Sequence, residues 1–563
     1  MDNKETEDAF NLPSSISNTD KKDEQTHLRG IHDIDRIGKY QLMVYFVISF
    51  PVILSAAFAL GYVFTSGEVG YRCFIPECET SLTSIWNTSW AKYSVPAKNN
   101  LFGSCEHYTI KSNHVGVCSE QSFTQEIKKC DHWVYKPDEK TILNEWNITC
   151  NENRWKLALV GTINNVGQLV GLMFAGFLSD RYGRRTLLVT ETFCTGIVGL
   201  IQSFSINYWM FIALEFAQSV SSAGVYSTAY ILALEMTGER RRVVSGTIMC
   251  CVYAIGEMLV GTAAMGLKSW RNLLRIFFAP CLLAIFLPFV IPESIRWLVA
   301  NGKRKELENV YRRIAKMNGT KMPDIEINLY KDLNSENTYK ETKKATNKNK
   351  SVIEALSRPK LLMRLLACCL CWLTNTFVYY GLSLNSVAFA GDKYVNFILV
   401  SFVEIPAYFL SGIFIDYLGR KPTLAGSFLF SGIFCLGIQF IPRDAWSYAP
   451  IIMYMGGKAC ITMAFATVYV YTAEMFPTTA RHFLLSICSM TGRIGSILAP
   501  QTRLLATVIE SLPLILFGCM GMLAGIISFL FPETMGQQLP DTIDDAENIG
   551  KKSTDKNFIE QNK

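Results

Sequence analysis

One charged turn limits what this chain can fold into. The turn, residues 176–185, reads Gly-Phe-Leu-Ser-Asp-Arg-Tyr-Gly-Arg-Arg and lies between two apolar runs, 157–178 and 187–204. Because both runs are about long enough to cross a bilayer, the turn must lie at a membrane surface, and its arginines predict the cytoplasmic surface. Gly176 and Gly183 predict a close approach of the two helices there. The turn therefore predicts a protein with several membrane-spanning helices.

The second half of the chain repeats this turn and two further marks. Residues 412–421 read Gly-Ile-Phe-Ile-Asp-Tyr-Leu-Gly-Arg-Lys and follow about 240 residues after the first turn. The other repeated marks are Glu235 with Arg242, matched by Glu474 with Arg481, and Pro292-Glu293-Ser294, matched by Pro532-Glu533-Thr534. Three marks in one order and at one spacing predict a tandem duplication of a membrane unit, as in secondary transporters.

Composition and apolar runs define the expected architecture. Half of the 563 residues are hydrophobic and only 18% are charged, which is typical of a polytopic membrane protein. We predict an all-α fold with twelve spans in two pseudo-symmetric six-helix bundles. The expected spans are residues 42–64, 157–178, 187–204, 208–231, 243–267, 273–291, 361–384, 395–415, 424–441, 448–471, 484–506 and 512–531. The expected regions are an N-terminal tail (1–40), a first bundle (41–291), a linker (292–360), a second bundle (361–531) and a C-terminal tail (532–563).

A polar loop between the first two spans, residues 65–154, carries two signs of an extracellular location. It holds glycosylation sequons at Asn87 and Asn147 and an even number of cysteines, which predicts three disulfides of open pairing. Those cysteines are Cys73, Cys78, Cys105, Cys118, Cys130 and Cys150. With this loop outside and the Lys/Arg-rich segments inside, both termini are cytoplasmic, and we expect a multi-pass plasma-membrane protein.

The linker contains one patterned segment. Residues 303–317 alternate apolar and basic side chains at helical spacing, which predicts an amphipathic helix lying on the membrane face.

Further motifs resemble a known family. The duplicated Gly-x-x-x-Asp-x-x-Gly-Arg turns resemble those of the major facilitator superfamily. The closer resemblance is to its organic cation, organic anion and carnitine transporters, over residues 40–546. It is carried by Tyr71-Arg-Cys73, Asn164-Asn-Val-Gly-Gln168, Pro292-Glu-Ser-Ile-Arg-Trp-Leu298, Tyr379-Tyr-Gly-Leu-Ser-Leu384, Val403-Glu-Ile-Pro406, Tyr471-Thr-Ala-Glu-Met-Phe-Pro-Thr478 and Leu539-Pro-Asp-Thr-Ile543. The resemblance implies two helical bundles around a central cavity that opens alternately to each membrane face.

Arg493, in the eleventh span, is the most informative of the charged residues inside the predicted membrane region. In the resembling family, its position is similar to one that holds aspartate in cation carriers and arginine in anion and carnitine carriers. A guanidinium offers two parallel N–H donors to a carboxylate and repels a bare cation. The alternative is that Arg493 pairs with Glu257 and only holds the bundles together.

Glu257, in the fifth span, has the opposite charge. A carboxylate in mid-span can balance a substrate ammonium or carry a coupling proton. Aromatic residues offer ring faces for an alkylammonium, although packing explains any one of them equally well. These aromatic candidates are Tyr226, Tyr230, Phe377, Tyr379 and Tyr380.

Four more polar residues lie within the spans. Glu404 precedes Pro406, where a broken helix predicts a hinge. Lys458 suits a substrate anion or a salt bridge equally. Gln168 joins the substrate candidates through the family motif. Glu215 departs from the family, whose cation carriers often place arginine near this point.

The repeated charges at the ends of the helices predict a gate. In the resembling superfamily, such groups hold the bundles together on the cytoplasmic side while the carrier is open outward, and weak surface pairs suit a contact that must break in each cycle. The gating candidates are Asp180, Arg184, Glu235, Arg242, Asp416, Arg420, Glu474 and Arg481.

These features predict a polyspecific carrier of small organic ions that works by alternating access, with organic cations or carnitine-like zwitterions as substrates. Organic anions are the alternative, and a non-transporting receptor or scaffold is a second class. Coupling to Na⁺ or H⁺ stays open. We expect no enzymatic activity, cofactor, metal site or nucleic-acid partner, since the sequence has no nucleophile elbow, metal-spaced His pair or phosphate loop.

Overall fold

The computed structural model describes residues 38–79, 86, 88–96, 105–111, 118–237, 242–319, 354–389, 391–442, 446, 448–478, 480–537, 539, 540 and 542–549. Twelve principal helices lie in this part of the chain. They are α1 (Lys39–Leu60), α2 (Arg154–Tyr182), α3 (Arg184–Gln202), α4 (Tyr208–Ser222 and Val225–Glu235), α5 (Arg242–Leu267), α6 (Trp270–Phe278, then a 3₁₀ stretch, Pro280–Phe286, and Leu287–Val290), α7 (Pro359–Asn385), α8 (Lys393–Phe402 and Glu404–Leu418), α9 (Arg420–Gly437), α10 (Ala449–Met475), α11 (Arg481–Leu498) and α12 (Leu512–Ser528).

Each expected span overlaps one of these helices, which confirms the all-α polytopic fold. Within the described ranges, nine helices are long and apolar enough to cross a membrane, and α12 is apolar but shorter. The remaining two are α3, which begins with two arginines, and α4, which is divided between Ser222 and Val225 into helices of 15 and 11 residues. Polar residues on these two helices are tolerated because neighbouring helices cover them. Glu215 of α4 and Thr192 of α3 are both buried.

The helices pack in two groups that follow the duplication. In the first group, α1 packs on α5 and α2 on α4, and in the second, α7 packs on α11 and α9 on α12. Small residues allow the closest approach: a Cβ added to Gly432 of α9 would lie 2.8 Å from the carbonyl oxygen of Gly518 on α12. Such contacts replace the hydrophobic effect as the source of attraction between helices in lipid.

The polar loop after α1 folds into a small disulfide-bonded unit. Two antiparallel strand pairs, β1 (Tyr71–Cys73) with β4 (Trp133–Tyr135) and β2 (Glu106–Ile110) with β3 (Phe123–Lys129), are elements that the sequence analysis did not predict. Disulfides join Cys73 to Cys130, Cys78 to Cys118 and Cys105 to Cys150. Inside the unit, Arg72 and Glu79 form an ion pair whose side chains are both 2% exposed.

The two ends of the bundle are named here by these features. The loop side carries the disulfide-bonded unit, and the turn side carries the turns at Gly183 and Gly419. On the loop side the two halves touch: Gln501 Nε2 donates to Thr162 Oγ1 at 2.7 Å, and the Phe64 and Tyr394 rings stack at 5.5 Å between centroids. The described contacts between the halves therefore close the loop side.

Two expectations were wrong. The linker helix, Arg304–Asn318, buries its apolar residues Leu307, Val310 and Ile314 in the protein core. Its apolar side therefore packs on protein and not on lipid, and its Asn318 side chain accepts from the backbone N–H of Tyr40 at 2.9 Å, which ties the helix to the start of α1.

Gly176 also differs from expectation. A Cβ added there would meet nothing within 4 Å, so it mediates no close helix contact in this structure. The tight approach at this turn belongs to Gly183, whose φ is +98°.

Candidate substrate site

A buried ion pair lies where the two halves meet. Glu257 of α5 and Glu404 of α8 each lie about ten residues from the loop-side end of their helices, so both are roughly 15 Å deep at 1.5 Å per residue. Lys458 Nζ of α10 is 2.8 Å from Glu404 Oε1, and both side chains are fully buried. The same ammonium donates to Ser383 Oγ at 2.7 Å. Lys458 is therefore already paired with an anion.

Tyr379 of α7 connects this pair to the first half. Its hydroxyl donates to Glu404 Oε2 at 2.7 Å and lies 3.5 Å from Glu257 Oε1. The Lys458 ammonium also lies over the Tyr379 ring, 3.2 Å from its centroid. Tyr379 is thus a part of the charged cluster and not only an aromatic surface.

Glu257 is the less satisfied of the two carboxylates. Its Oε2 is buried and accepts no hydrogen bond from any described residue. The nearby Ser401 hydroxyl donates instead to the Phe397 carbonyl, at 2.9 Å. A buried carboxylate oxygen without a donor costs free energy. Glu257 can therefore accept a donor from a cationic ligand.

Tyrosine rings form one cluster in each half. Tyr226 stacks edge-on against Tyr253 at 5.2 Å, and Tyr230 lies 6.0 Å from Tyr226. From the second half, Tyr380 lies 5.3 Å from Tyr379. Four of the five aromatic candidates therefore lie in these two clusters, and Tyr253 and Tyr379, one from each cluster, both interact electrostatically with Glu257.

Phe377 lies apart from this group. It packs edge-on against Phe517 of α12, with 5.3 Å between centroids. Its position on α7 differs from that of Tyr379 by two residues, or about 200° around the helix. In this structure Phe377 packs helices of the second half together.

Arg493 faces α2 of the first half. Its Nη1 donates to Gln168 Oε1 at 3.3 Å, and the Tyr380 hydroxyl lies beside the guanidinium. Among the described residues no ion pair joins Arg493 to Glu257. Both charges interact electrostatically with the Tyr253 side chain. Arg493 is only partly buried, and Gln168 accepts from Nη1 alone, so other N–H groups of the guanidinium can serve a ligand.

Several residues of this cluster escaped sequence reasoning. Ser383 and Tyr253 are a hydroxyl and a phenol on apolar helices, and nothing in their sequence context separates them from packing residues. Asn164 and Glu215 were noticed separately, whereas the structure joins them: Asn164 Nδ2 donates to Glu215 Oε1 at 2.8 Å. The helix positions alone, without the rotation of each helix, do not reveal such contacts.

Comparisons with known proteins agree with this architecture. The family described as "Sugar (and other) transporter" matches residues 116–543. The human organic cation/carnitine transporter 2 is 32% identical over 521 residues, covering 90% of this chain and 91% of that protein. The chain belongs to the organic cation and carnitine transporter family of the major facilitator superfamily.

Two further comparisons extend this result. An organic cation transporter protein of Drosophila melanogaster is 30% identical over 541 residues, which cover 94% of this chain and 96% of that protein. The E. coli xylose transporter XylE, in a partially occluded inward open conformation, has a TM-score of 0.57 and 15% identity, over 89% of this chain and 100% of that one; this likeness concerns the fold alone. The chain is therefore a membrane transporter and not an enzyme.

The transporter repeats one polar network on its turn side. In the first half, Arg184 pairs with Asp180 at 2.9 Å and with Glu235 at 3.5 Å, and the Ser294 hydroxyl donates to Glu235. Glu293 Oε1 accepts from the backbone N–H of Arg185 at 3.0 Å. This carboxylate satisfies the N-terminus of α3 in a position where the macrodipole favours an anion.

The second half has the matching network. Arg420 Nε lies 3.0 Å from Glu474 Oε2, and Thr534 Oγ1 donates to the same oxygen at 2.7 Å. Glu533 accepts from the backbone N–H groups of Arg420 and Lys421, both at 3.0 Å. The three repeated marks of the sequence are thus one structural unit, used twice, and each copy pairs its charges within its own half.

The other predicted residues have simpler surroundings. Asp416 is exposed, and Arg481 Nε donates to the Phe476 carbonyl at 3.2 Å. Arg242 is the first residue of α5, but its side chain lies outside the described residues, as does Asn87. Asn147 is exposed, and its Oδ1 accepts from the Tyr135 hydroxyl at 2.8 Å.

Proposed function

We propose that this transporter carries small organic cations and carnitine-like zwitterions by alternating access. The observation that carries the proposal is the fully buried Glu257, whose Oε2 lacks a donor among the described residues and lies among tyrosine rings at the junction of the halves. A quaternary or protonated amine would meet a carboxylate and aromatic faces there. The related human and Drosophila proteins are named as organic cation or carnitine transporters, which supports the same substrate class.

Arg493 provides the second half of a zwitterion site. Arg493 and Glu257 both interact electrostatically with Tyr253 and Tyr380, so two opposite charges act on the same pair of tyrosines. A molecule with an ammonium at one end and a carboxylate at the other fits this arrangement. Glu404 and Lys458 neutralise each other and would contribute shape and a hinge more than charge.

The proposed location is the plasma membrane, with the disulfide-bonded unit outside and both termini in the cytoplasm. Disulfides persist in oxidising compartments, and the exposed Asn147 suits a glycan on the same side. In this orientation the repeated networks around Arg184 and Arg420 lie at the cytoplasmic surface, where we propose that they and their partners gate access to the site. Coupling to Na⁺ or H⁺ would act through the same carboxylates.

Uptake of carnitine and of carnitine methyl ester tests the proposal. Both carry the ammonium, but only carnitine carries a carboxylate. Arg493→Ala should raise KM for carnitine about tenfold to a hundredfold, the value of a lost charge-assisted hydrogen bond, and leave the ester nearly unchanged. Glu257→Gln should raise KM for both carnitine and its ester.

The double variant Glu257→Gln with Arg493→Ala distinguishes a structural role. If Arg493 only neutralised Glu257, the double variant would recover full uptake of carnitine. Recovery, or an equal response of carnitine and its ester to Arg493→Ala, would contradict the zwitterion site.

Organic anion transport is the second candidate, favoured by the partly exposed guanidinium of Arg493. An anion carrier would take up a dicarboxylate that lacks an amine, and Glu257→Gln would then increase its uptake because a repelling charge is removed.

A further inference from the structure

Glu215 is a buried carboxylate that the proposed transport site does not explain. It lies in α4, its residue is 5% exposed, and no described cation pairs with it. Both oxygens accept from amides instead: Oε1 from Asn164 Nδ2 at 2.8 Å, and Oε2 from Gln202 Nε2. A carboxylate inside a membrane helix is costly unless it serves a purpose, so the direction of these hydrogen bonds is informative.

The hydrogen bonds fix the orientation of two amides in series. Asn164 Nδ2 donates to Glu215 and also to the Phe58 carbonyl, at 2.9 Å. A backbone carbonyl can only accept, so the NH₂ group of Asn164 must face these two acceptors. Its Oδ1 then faces Gln168 and accepts from Gln168 Nε2 at 2.9 Å.

The last amide in the series faces the substrate site. Since Gln168 Nε2 is directed toward Asn164, its Oε1 faces Arg493 and accepts from Nη1 at 3.3 Å. The reverse orientation would place an NH₂ group against the guanidinium, donor against donor. Asn164 and Gln168 are both buried, so their hydrogen bonds to protein groups set the orientation of each amide.

We propose that Glu215 is a positioning residue for the carboxylate-binding site at Arg493, acting through Asn164 and Gln168. Together with the Phe58 carbonyl, Glu215 orients the two amides, and the resulting amide oxygen of Gln168 holds one N–H of Arg493 in place. The remaining N–H groups of the guanidinium are then aimed at a substrate carboxylate with less loss of side-chain entropy on binding. This inference rests on the proposed function, because it requires that Arg493 receive a carboxylate.

Two substitutions of Glu215 separate hydrogen-bond direction from charge. Glu215→Leu removes both acceptors and should raise KM for carnitine about threefold to tenfold. KM for carnitine methyl ester, and the maximal rate normalised to surface abundance, should stay within about twofold of the wild-type values. Glu215→Gln should stay near wild type. Its amide oxygen can still accept from Asn164, and its NH₂ can donate to Gln202 Oε1, which has no partner in the described part of the chain.

If Glu215 only packed α2 against α4, its substitution would change KM for both substrates alike, or would lower surface abundance and leave KM unchanged. If Glu215→Leu fails to reach the surface, Asn164→Ala carries the same prediction, because it removes the middle of the series and leaves Glu215 with Gln202. In the Arg493→Ala background, adding Glu215→Leu should cause no further loss of carnitine selectivity.

The outcomes distinguish the two proposals. Suppose that Arg493→Ala abolishes the preference for carnitine over its ester while Glu215→Leu and Asn164→Ala leave that preference intact. The positioning role would then be overturned and the proposed function would stand. If Arg493→Ala itself leaves the preference unchanged, the carboxylate site is overturned, and this inference falls with it.

Discussion

The contact between Lys458 and Glu404 changes the role that we infer for Lys458. From sequence, Lys458 suited a substrate anion and a salt bridge equally. The 2.8 Å ion pair between fully buried side chains favours the salt bridge, and we propose that Lys458 is a structural partner of Glu404. Removing one member of a buried pair leaves an uncompensated charge, which is strongly destabilising, whereas replacing both members by uncharged groups is often tolerated.

We therefore expect Lys458→Met to lower the surface abundance of the transporter severely, by the equivalent of about 3 to 5 kcal/mol of stability. Adding Glu404→Gln should restore most of it, since neither charge of this pair is then left without the other. Surface biotinylation and thermal unfolding in detergent measure the effect.

Glu257→Gln serves as the matched control for this pair, because it removes a carboxylate at similar depth that has no cationic partner among the described residues. Its surface abundance should stay near wild type. A double variant no more abundant than Lys458→Met would contradict the assignment of the pair as structural.

At the level of the helices, the sequence predicted positions well and rotations poorly. Apolar length located all twelve helices, because the bilayer imposes that length regardless of packing. It did not reveal that Phe377 packs on α12 while Tyr379 lies beside Glu404, since the rotation of α7 depends on contacts with other helices. The strands of the disulfide-bonded unit were missed because each is only three to seven residues long.

The turns provide a matched prediction, because each contains two glycines in different surroundings. Gly183 and Gly419 have φ of +98° and +96°, and a Cβ on either would lie within 3 Å of the carboxylate of Glu293 or Glu533. Gly183→Ala and Gly419→Ala should each cost at least about 1 to 2 kcal/mol of stability and disturb the cap of the following helix.

The controls are Gly176→Ala and Gly412→Ala, where an added Cβ meets nothing within 4 Å. They should not lower the melting temperature of the purified protein, and a small increase is expected because alanine has the higher helix propensity. Equal losses at all four positions would mean that the turns matter through helix contacts that this structure does not contain.

For the whole molecule, the closed loop side defines what must move for alternating access. The disulfide-bonded unit is fixed to the first half, where Arg271 of α6 binds Glu145 and the Ser203 carbonyl. The same unit reaches the second half through Glu139, whose carboxylate pairs with Lys393 at the start of α8. This ion pair crosses between the halves, so it must break when the loop side opens.

Breaking the Glu139–Lys393 pair should therefore favour opening toward the loop side. The side chains are 15% and 24% exposed, so an effect of about 1 kcal/mol, or roughly fivefold in the population of the open state, is expected. Cys250 reports this opening, since it is partly exposed beside Tyr226 in the central region. A membrane-impermeant thiol reagent added outside cells should label Cys250 about fivefold faster in Glu139→Gln than in wild type.

Three controls make this test decisive. Cys250→Ser identifies the labelled position, and the charge-reversed double variant, Glu139→Lys with Lys393→Glu, should restore slow labelling. Glu152→Gln makes the same chemical change in an exposed pair with Lys129, both about four-fifths exposed, within the first half, and should have no effect. If Cys250 is labelled at the wild-type rate in Glu139→Gln, or if Glu152→Gln accelerates its labelling equally, the Glu139–Lys393 pair does not hold the loop side closed. The closure would then depend on the helix contacts around Thr162 and Phe64, where apolar packing and a neutral hydrogen bond are independent of charge.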